Sequence, residues 1–258
     1  MNKKPRMLIT GVSGLLGSNL AFYFKDSHDI LGLYNSHPVS IHGVTVRRCD
    51  LLNDENFASL VSLFQPEVIL HCAAMTDIDD CEVNRDLAIQ TNVEPVRRMV
   101  DDPTMEKRTL VYFSSDAVYD GTAGDSSEHS HIGPKNYYGE TKLAAENALR
   151  DFSSALILRT NLFGWNIIDK TSLAEWVLQN LSDGSSITGF DDVIFSPIYT
   201  MKLARVVDIA LKCRLRGIYN CGAGDSVSKY SFAVRLAHRF GLDVSLVDRG
   251  SVDNAGLK

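Results

Sequence analysis

A short apolar run, Met7-Leu8-Ile9, ends at Thr10 and leads directly into Gly11-Val12-Ser13-Gly14-Leu15-Leu16-Gly17, which opens an amphipathic stretch. A strand feeding a helix through three glycines constrains the fold more than any other feature of the chain. Gly11 permits a tight turn, Gly14 lets the backbone approach a pyrophosphate, and Gly17 allows the helix to pack closely on the strand. The helix N-terminus then offers free N–H groups and partial positive charge to phosphates. Ser13, Leu15 and Leu16 share this turn and are candidate cofactor contacts with the glycines.

The rhythm set by this turn continues. Apolar runs at Met7–Thr10, Ile30–Tyr34, Val44–Cys49, Val68–Ala73, Thr109–Ser114 and Ala155–Arg159 alternate with helical patterns at Leu15–Lys25, Glu55–Phe64, Arg85–Val100 and Tyr137–Arg150. Asn53 or Asp54 is the expected cap of the second helix. Alternation of this kind predicts an α/β fold, a Rossmann-type doubly wound parallel sheet. Beyond Arg159 the rhythm loosens into helices at Leu173–Leu181 and Leu203–Lys212, a strand at Gly217–Cys221, and a helix at Ser228–Phe240 capped by Ser228 and ended by Gly241. We expect residues 1–160 to form the dinucleotide-binding domain and 161–258 a small C-terminal substrate lobe, with about 200–222 returning to the sheet. Trp165 and Trp176 read as packing residues of that lobe.

Composition narrows the function. A formal net charge of −6 with scattered Lys and Arg offers no basic face, so nucleic acid is not an expected partner. No apolar run of about 18 residues is present, so no membrane span is predicted, and a cytoplasmic location is expected. The five cysteines contain no CxxC pair, which predicts reduced, mostly buried thiols. His129 and His131 in a polar loop lack a third partner, and no metal is predicted.

The end of the second strand reads Tyr34-Asn35-Ser36-His37, without the carboxylate that would repel a ribose 2′-phosphate. Ser36 and His37, with Arg47 or Arg48, could serve a phosphate and so favour NADP, with NAD as the alternative; Asn35 and Ser36 are the candidate cofactor contacts here. Asp50 and Leu51 follow the third strand, where an adenine contact or a simple loop cap are the two readings of Asp50. Tyr138 and Lys142 are i and i+4 neighbours on one helix face. A cation beside a phenol is expected to lower its pKa from about 10 and let it exchange a proton. Tyr137, five residues from Lys142, turns elsewhere. Ser115, at the end of the fifth strand, is placed to polarise a substrate carbonyl while Tyr138 protonates its oxygen. Ser114 is expected to face away.

These motifs, with His71-Cys72-Ala73-Ala74-Met75-Thr76-Asp77, Thr91-Asn92-Val93, Ser114-Ser115-Asp116-Ala117-Val118-Tyr119-Asp120-Gly121 and Leu158-Arg159-Thr160, resemble the extended short-chain dehydrogenases/reductases. Within them the chain is most similar to the dTDP-4-dehydrorhamnose reductase group. The resemblance implies that Ser115, Tyr138 and Lys142 act together. It also implies that Ala73, Ala74 and Thr76 border the cofactor, that Asn92 supports the site, and that the substrate is a nucleotide-linked 4-keto-sugar. Ala117 stands where the related dehydratases carry a second carboxylate, which points to reduction rather than elimination. Two other readings stay open: a regulatory subunit similar to the methionine adenosyltransferase β-subunit, and a sugar-nucleotide epimerase. A homodimer is among the assemblies expected.

Overall fold

The computed structural model describes residues 3–52, 54–122 and 124–252. Seven parallel strands form its central sheet: β1 (Arg6–Thr10), β2 (Asp29–Tyr34), β3 (Thr45–Arg48), β4 (Val68–His71), β5 (Thr109–Ser115), β6 (Ala155–Thr160) and β7 (Gly217–Cys221), in the spatial order 3-2-1-4-5-6-7. The order reverses between β1 and β4, and open sheets of this kind bind ligands at the carboxyl ends beside that reversal.

Both faces of the sheet are covered, which is why its strands read as continuous apolar runs. Met7, Ile9, Ile30, Leu70, Val111, Phe113, Leu156 and Leu158 point to one face, against α1 (Leu15–Phe24) and α8 (Thr200–Lys212). Leu8, Leu31, Leu33, Ile69, Leu110, Tyr112 and Ile157 alternate to the other, beneath α2 (Asp54–Phe64), α5 (Glu94–Asp101) and α6 (Tyr137–Ala148). The cap expected at Asn53 or Asp54 rests on side chains outside the described residues.

One helical expectation is corrected. The pattern over Arg85–Val100 is two helices, α4 (Arg85–Asn92) and α5, because Pro95 sits in the first turn of α5 and cannot donate a backbone N–H across the junction. A short helix, α3 (Ile78–Val83), precedes them, its first turn capped by Asp77, which accepts from the Asp80 N–H.

A third apolar cluster joins α7 (Leu173–Ser182), α9 (Lys229–Phe240) and the strand pair Ile187–Phe190 and Val247–Gly250. Ser228 caps α9 by accepting from the Ser231 N–H, and Gly241 takes the left-handed conformation past its end. Trp165 packs into this cluster against Phe240. Trp176 does not; it is 42 % exposed on the outer side of α7.

β7 pairs with β6 over its whole length and forms the sheet edge. Its Asn220 accepts from the Tyr119 hydroxyl at 2.7 Å and donates through Nδ2 to Ser126 O at 2.7 Å, while its backbone N–H donates to Glu128 Oε1 at 2.7 Å. The loop after β5 is thereby tied to the last strand of the sheet.

Candidate active site

Sterics fix the glycine turn. Gly11 has φ +64°, and a Cβ there would stand 2.7 Å from the Ala73 backbone. At Gly17 a Cβ would stand 2.3 Å from Gly11 O, so helix and turn touch. Gly14 is different: it is the N-cap of α1, makes no side-chain cap bond, and its Cβ would lie 3.3 Å from Gly11 O. The first-turn N–H groups of α1, including those of Leu15 and Leu16, therefore meet no capping side chain, and Ser13 lies half-buried beside them. A cradle closed to side chains and rich in N–H donors suits a dinucleotide pyrophosphate.

At the end of β2, Asn35 and Ser36 are exposed, and Arg48 Nε donates to Asn35 O at 3.1 Å, bringing a guanidinium to this corner. Asp50 is engaged as a loop cap: its Oδ1 accepts from the Leu52 N–H at 3.0 Å, while Leu51 leans on the core.

Thr10 organises the end of β4. Its Oγ1 accepts from the Cys72 and Ala73 N–H groups, each at 3.2 Å, so its own proton goes to His71 Nδ1 at 2.9 Å. Ala73 and Ala74 follow half-buried and Thr76 exposed, at the mouth of the reversal point. Asn92, buried in α4, receives the Met75 N–H at 2.7 Å and donates to Met75 O at 3.0 Å and to Thr141 Oγ1 at 2.9 Å. Thr141 in turn donates to Tyr138 O at 2.7 Å. One amide thus ties the β4 loop to α6.

Ser115 ends β5. Its Oγ accepts from the Ala117 N–H at 3.1 Å and donates to Asp116 Oδ1 at 3.2 Å, and the hydroxyl stands near enough to the Tyr138 phenol to favour its ionised form. Asp116 also accepts from Asn161 Nδ2 at 3.0 Å. Asn136 caps α6 through the Gly139 N–H, and a Cβ on Gly139 would stand 2.3 Å from Ala117 O. This close approach brings Tyr138 onto the turn that carries Ser115. Tyr137 turns away, its ring 4.6 Å from the Arg85 guanidinium. Ser114 faces the other way too, donating to the buried Glu146. Glu146 pairs with Arg159 at 2.6 Å, and Arg159 donates to the Tyr119 hydroxyl at 2.8 Å.

The Lys142 ammonium donates to Phe113 O at 2.8 Å and lies 5.8 Å from the centroid of the Tyr138 ring. Burial, the largest influence, lowers its pKa to about 8. Burial also pushes the Tyr138 phenol up to about 12, against the opposing pull of the Ser115 hydroxyl nearby. The expectation that Lys142 lowers the phenol is thus corrected: desolvation dominates and raises it, while one of the three ammonium donors goes to the Phe113 carbonyl. The phenol stays protonated at neutral pH, the form that can give a proton.

Sequence reasoning missed Thr10, Asn136, Gly139 and Thr141. Only Asn136 had a local signal, as an Asn two residues before the tyrosine of a helix that needs a cap.

The model of the RmlD substrate binding domain matches residues 5–254. The methionine adenosyltransferase 2 subunit beta of Danio rerio is 31% identical, over 93% of this chain and 75% of its own length. Among solved structures, a hypothetical dTDP-4-dehydrorhamnose reductase from Sulfolobus tokodaii superposes with a TM-score of 0.84 at 31% identity, covering 95% of this chain and 85% of that one. The dTDP-4-dehydrorhamnose reductase of Bacillus anthracis, in complex with NADP, gives 0.83 at 25% identity, covering 98% and 86%.

Proposed function

The chain belongs to the RmlD substrate binding domain family, and on that premise we propose that it is an NADP-dependent reductase of a nucleotide-linked 4-keto-sugar, with NAD as a second acceptable cofactor. The observation that carries this reading is the gathering of Ser115 and Tyr138 at the carboxyl ends of the sheet, with the Lys142 ammonium 5.8 Å from the centroid of the Tyr138 ring.

Gly11, Ser13, Gly14, Leu15, Leu16 and Gly17 would hold the pyrophosphate. Asn35 and Ser36 would meet the adenosine ribose, Asp50 and Leu51 the adenine, and Ala73, Ala74, Thr76 and Asn92 the inner half. Bound NADPH supplies a hydride to the carbonyl carbon. Ser115 and Tyr138 both donate to the carbonyl oxygen, and Tyr138 releases its proton there as negative charge develops. Lys142 steadies the phenolate left behind and hydrogen-bonds the nicotinamide ribose. The product is an alcohol, and solvent restores the proton. Residues 1–160 serve in this reading as the cofactor domain and 161–258 as the substrate lobe, with 200–222 counted to the sheet.

The test is NADPH oxidation with a dTDP-4-keto-6-deoxyhexose. The wild type is expected to turn over and Tyr138→Phe to lose most of the rate with cofactor binding retained. Equal inertness of the two, with cofactor bound, defeats the reading.

The 31% identity to a methionine adenosyltransferase β-subunit favours one second reading, a cofactor-binding regulatory subunit. Stoichiometric capture of a methionine adenosyltransferase catalytic subunit, with no ketone reduced, would support it instead.

A further inference from the structure

Tyr138, Lys142 and Glu146 follow one another at four-residue steps on α6, so one helix face carries the phenol, the ammonium and a carboxylate. The first two have a part in the reaction proposed above. Glu146 is turned to other partners. It is buried, accepts from the Ser114 hydroxyl through Oε1, and receives Arg159 Nε at 3.0 Å and Arg159 Nη2 at 2.6 Å. A buried ion pair adds little net stability, because desolvation of both charges offsets their attraction. Its place in this fold is explained by what it holds.

Arg159 stands opposite Ser114 in the pairing of β6 with β5. With Nε and Nη2 committed to Glu146, its Nη1 donates to the Tyr119 hydroxyl at 2.8 Å. One planar guanidinium thus reaches the carboxylate and the phenol together, which a lysine ammonium on its flexible stem does not reproduce. The two residues gripped in this way, Ser114 and Tyr119, flank Ser115 and the short helical turn Asp116–Val118 that follows it. The same turn is pressed against the helix of Tyr138, since a Cβ on Gly139 would stand 2.3 Å from Ala117 O. Slack between Ser114 and Tyr119 would therefore shift Ser115 against Tyr138.

We propose that Glu146 and Arg159 are positioning residues that brace the Ser115 turn from both ends, through Ser114 before it and Tyr119 after it, and so fix the spacing of the two hydroxyls that meet the carbonyl oxygen. The inference rests on the reductase reading and deepens it. Both residues act through the turn, and neither is a catalytic group.

The experiment follows NADPH-dependent reduction of a dTDP-4-keto-6-deoxyhexose by the wild type, Ser114→Ala, Tyr119→Phe, the double variant and Arg159→Lys. The lysine keeps a counter-charge for Glu146, so the fold is not asked to bury a lone carboxylate. Each single variant is expected to lose about 10- to 100-fold in kcat, the cost of a small misplacement at a reacting centre, while KM, NADPH affinity and Tm stay close to those of the wild type. One turn is loosened whichever end is cut, so the double variant should fall little below the worse single variant. Unchanged kcat in Ser114→Ala or Tyr119→Phe, losses that add in full, or a loss that follows a fall in Tm or NADPH affinity overturns the proposal. If the wild type reduces no ketone, the reductase reading fails by itself, and amide hydrogen exchange with NADP present then decides the brace. The amides to follow are Ala117, which donates to Ser115 Oγ, and Tyr119, which donates to Asp116 O. Exchange about 10-fold faster at these two in Tyr119→Phe and Arg159→Lys, with β1 to β4 unchanged, supports it. Unchanged exchange there, or a rise spread over the whole sheet, overturns it.

Discussion

The Lys142 ammonium is anchored to Phe113 O at 2.8 Å, so the cation next to Tyr138 is held by the sheet although its own helix carries the phenol. Its pKa, lowered to about 8 by burial, places deprotonation just above neutrality. Below that pH the site keeps its cation; above it the cation is lost. We predict that kcat/KM for ketone reduction falls as pH rises through about 8, and that Lys142→Met removes this limb while lowering the rate throughout by about 10²- to 10⁴-fold. A steady-state pH profile checks both. Tyr138, at about 12, should add no limb below pH 10.

The three glycines should separate into two classes. Gly17→Ala forces a Cβ to 2.3 Å from a backbone oxygen, and overpacking against backbone costs about 1–3 kcal/mol or more. Gly14→Ala meets the same oxygen at 3.3 Å and should fold nearly as well as the wild type. It should nevertheless bind NADPH at least about 10-fold more weakly if the pyrophosphate approaches there. Thermal melts and fluorescence titration with NADPH distinguish the two.

Glu146 and Arg159 are 3 % and 5 % exposed. Arg159→Met leaves a buried carboxylate without its counter-charge and should cost about 3–5 kcal/mol. Adding Glu146→Gln should recover part of that loss, because the amide needs no counter-charge and can still accept from Ser114. Urea unfolding of the two single variants and the double variant measures the coupling.

His71 is buried neutral, its pKa lowered from 6.5 to about 3 chiefly by burial and then by Lys142. Between those values the unfolded chain binds a proton that the folded chain does not, so stability rises with pH across this window and is lost as pH falls through it. In urea midpoints measured from pH 7 downward, His71→Gln should flatten this acid limb. The difference should reach roughly 3 kcal/mol near pH 4.5.

What the sequence disclosed was chemistry carried within one turn or one helix. Gly11, Gly14 and Gly17 act through local backbone geometry, and Tyr138 and Lys142 through the helical repeat, so spacing alone exposes them. Pro95 marked a junction that apolar periodicity ran across, because the pattern of buried positions continues even where a hydrogen bond is missing. Contacts between distant segments left no such trace. Asn92 meets Met75 and Thr141 only after three elements pack, and Asn220 meets Tyr119 only once the last strand joins the sheet. The phenol pKa was misjudged for the same reason: spacing reveals a neighbouring cation but not the depth at which both groups are buried.

The latch between Asn220 and the Tyr119 loop also carries a temporal consequence. Synthesis proceeds from the N-terminus, and segments begin to organise as they emerge. β1 to β6 and α6 leave the ribosome before the residue that fastens the loop beside Ser115 exists. A nascent chain that has reached Thr160 can pair most of its sheet yet lacks the fastening for that loop. The pocket takes its final shape only after translation has passed Asn220, and unpairing of that last strand in the finished protein would loosen the loop from some hundred residues away.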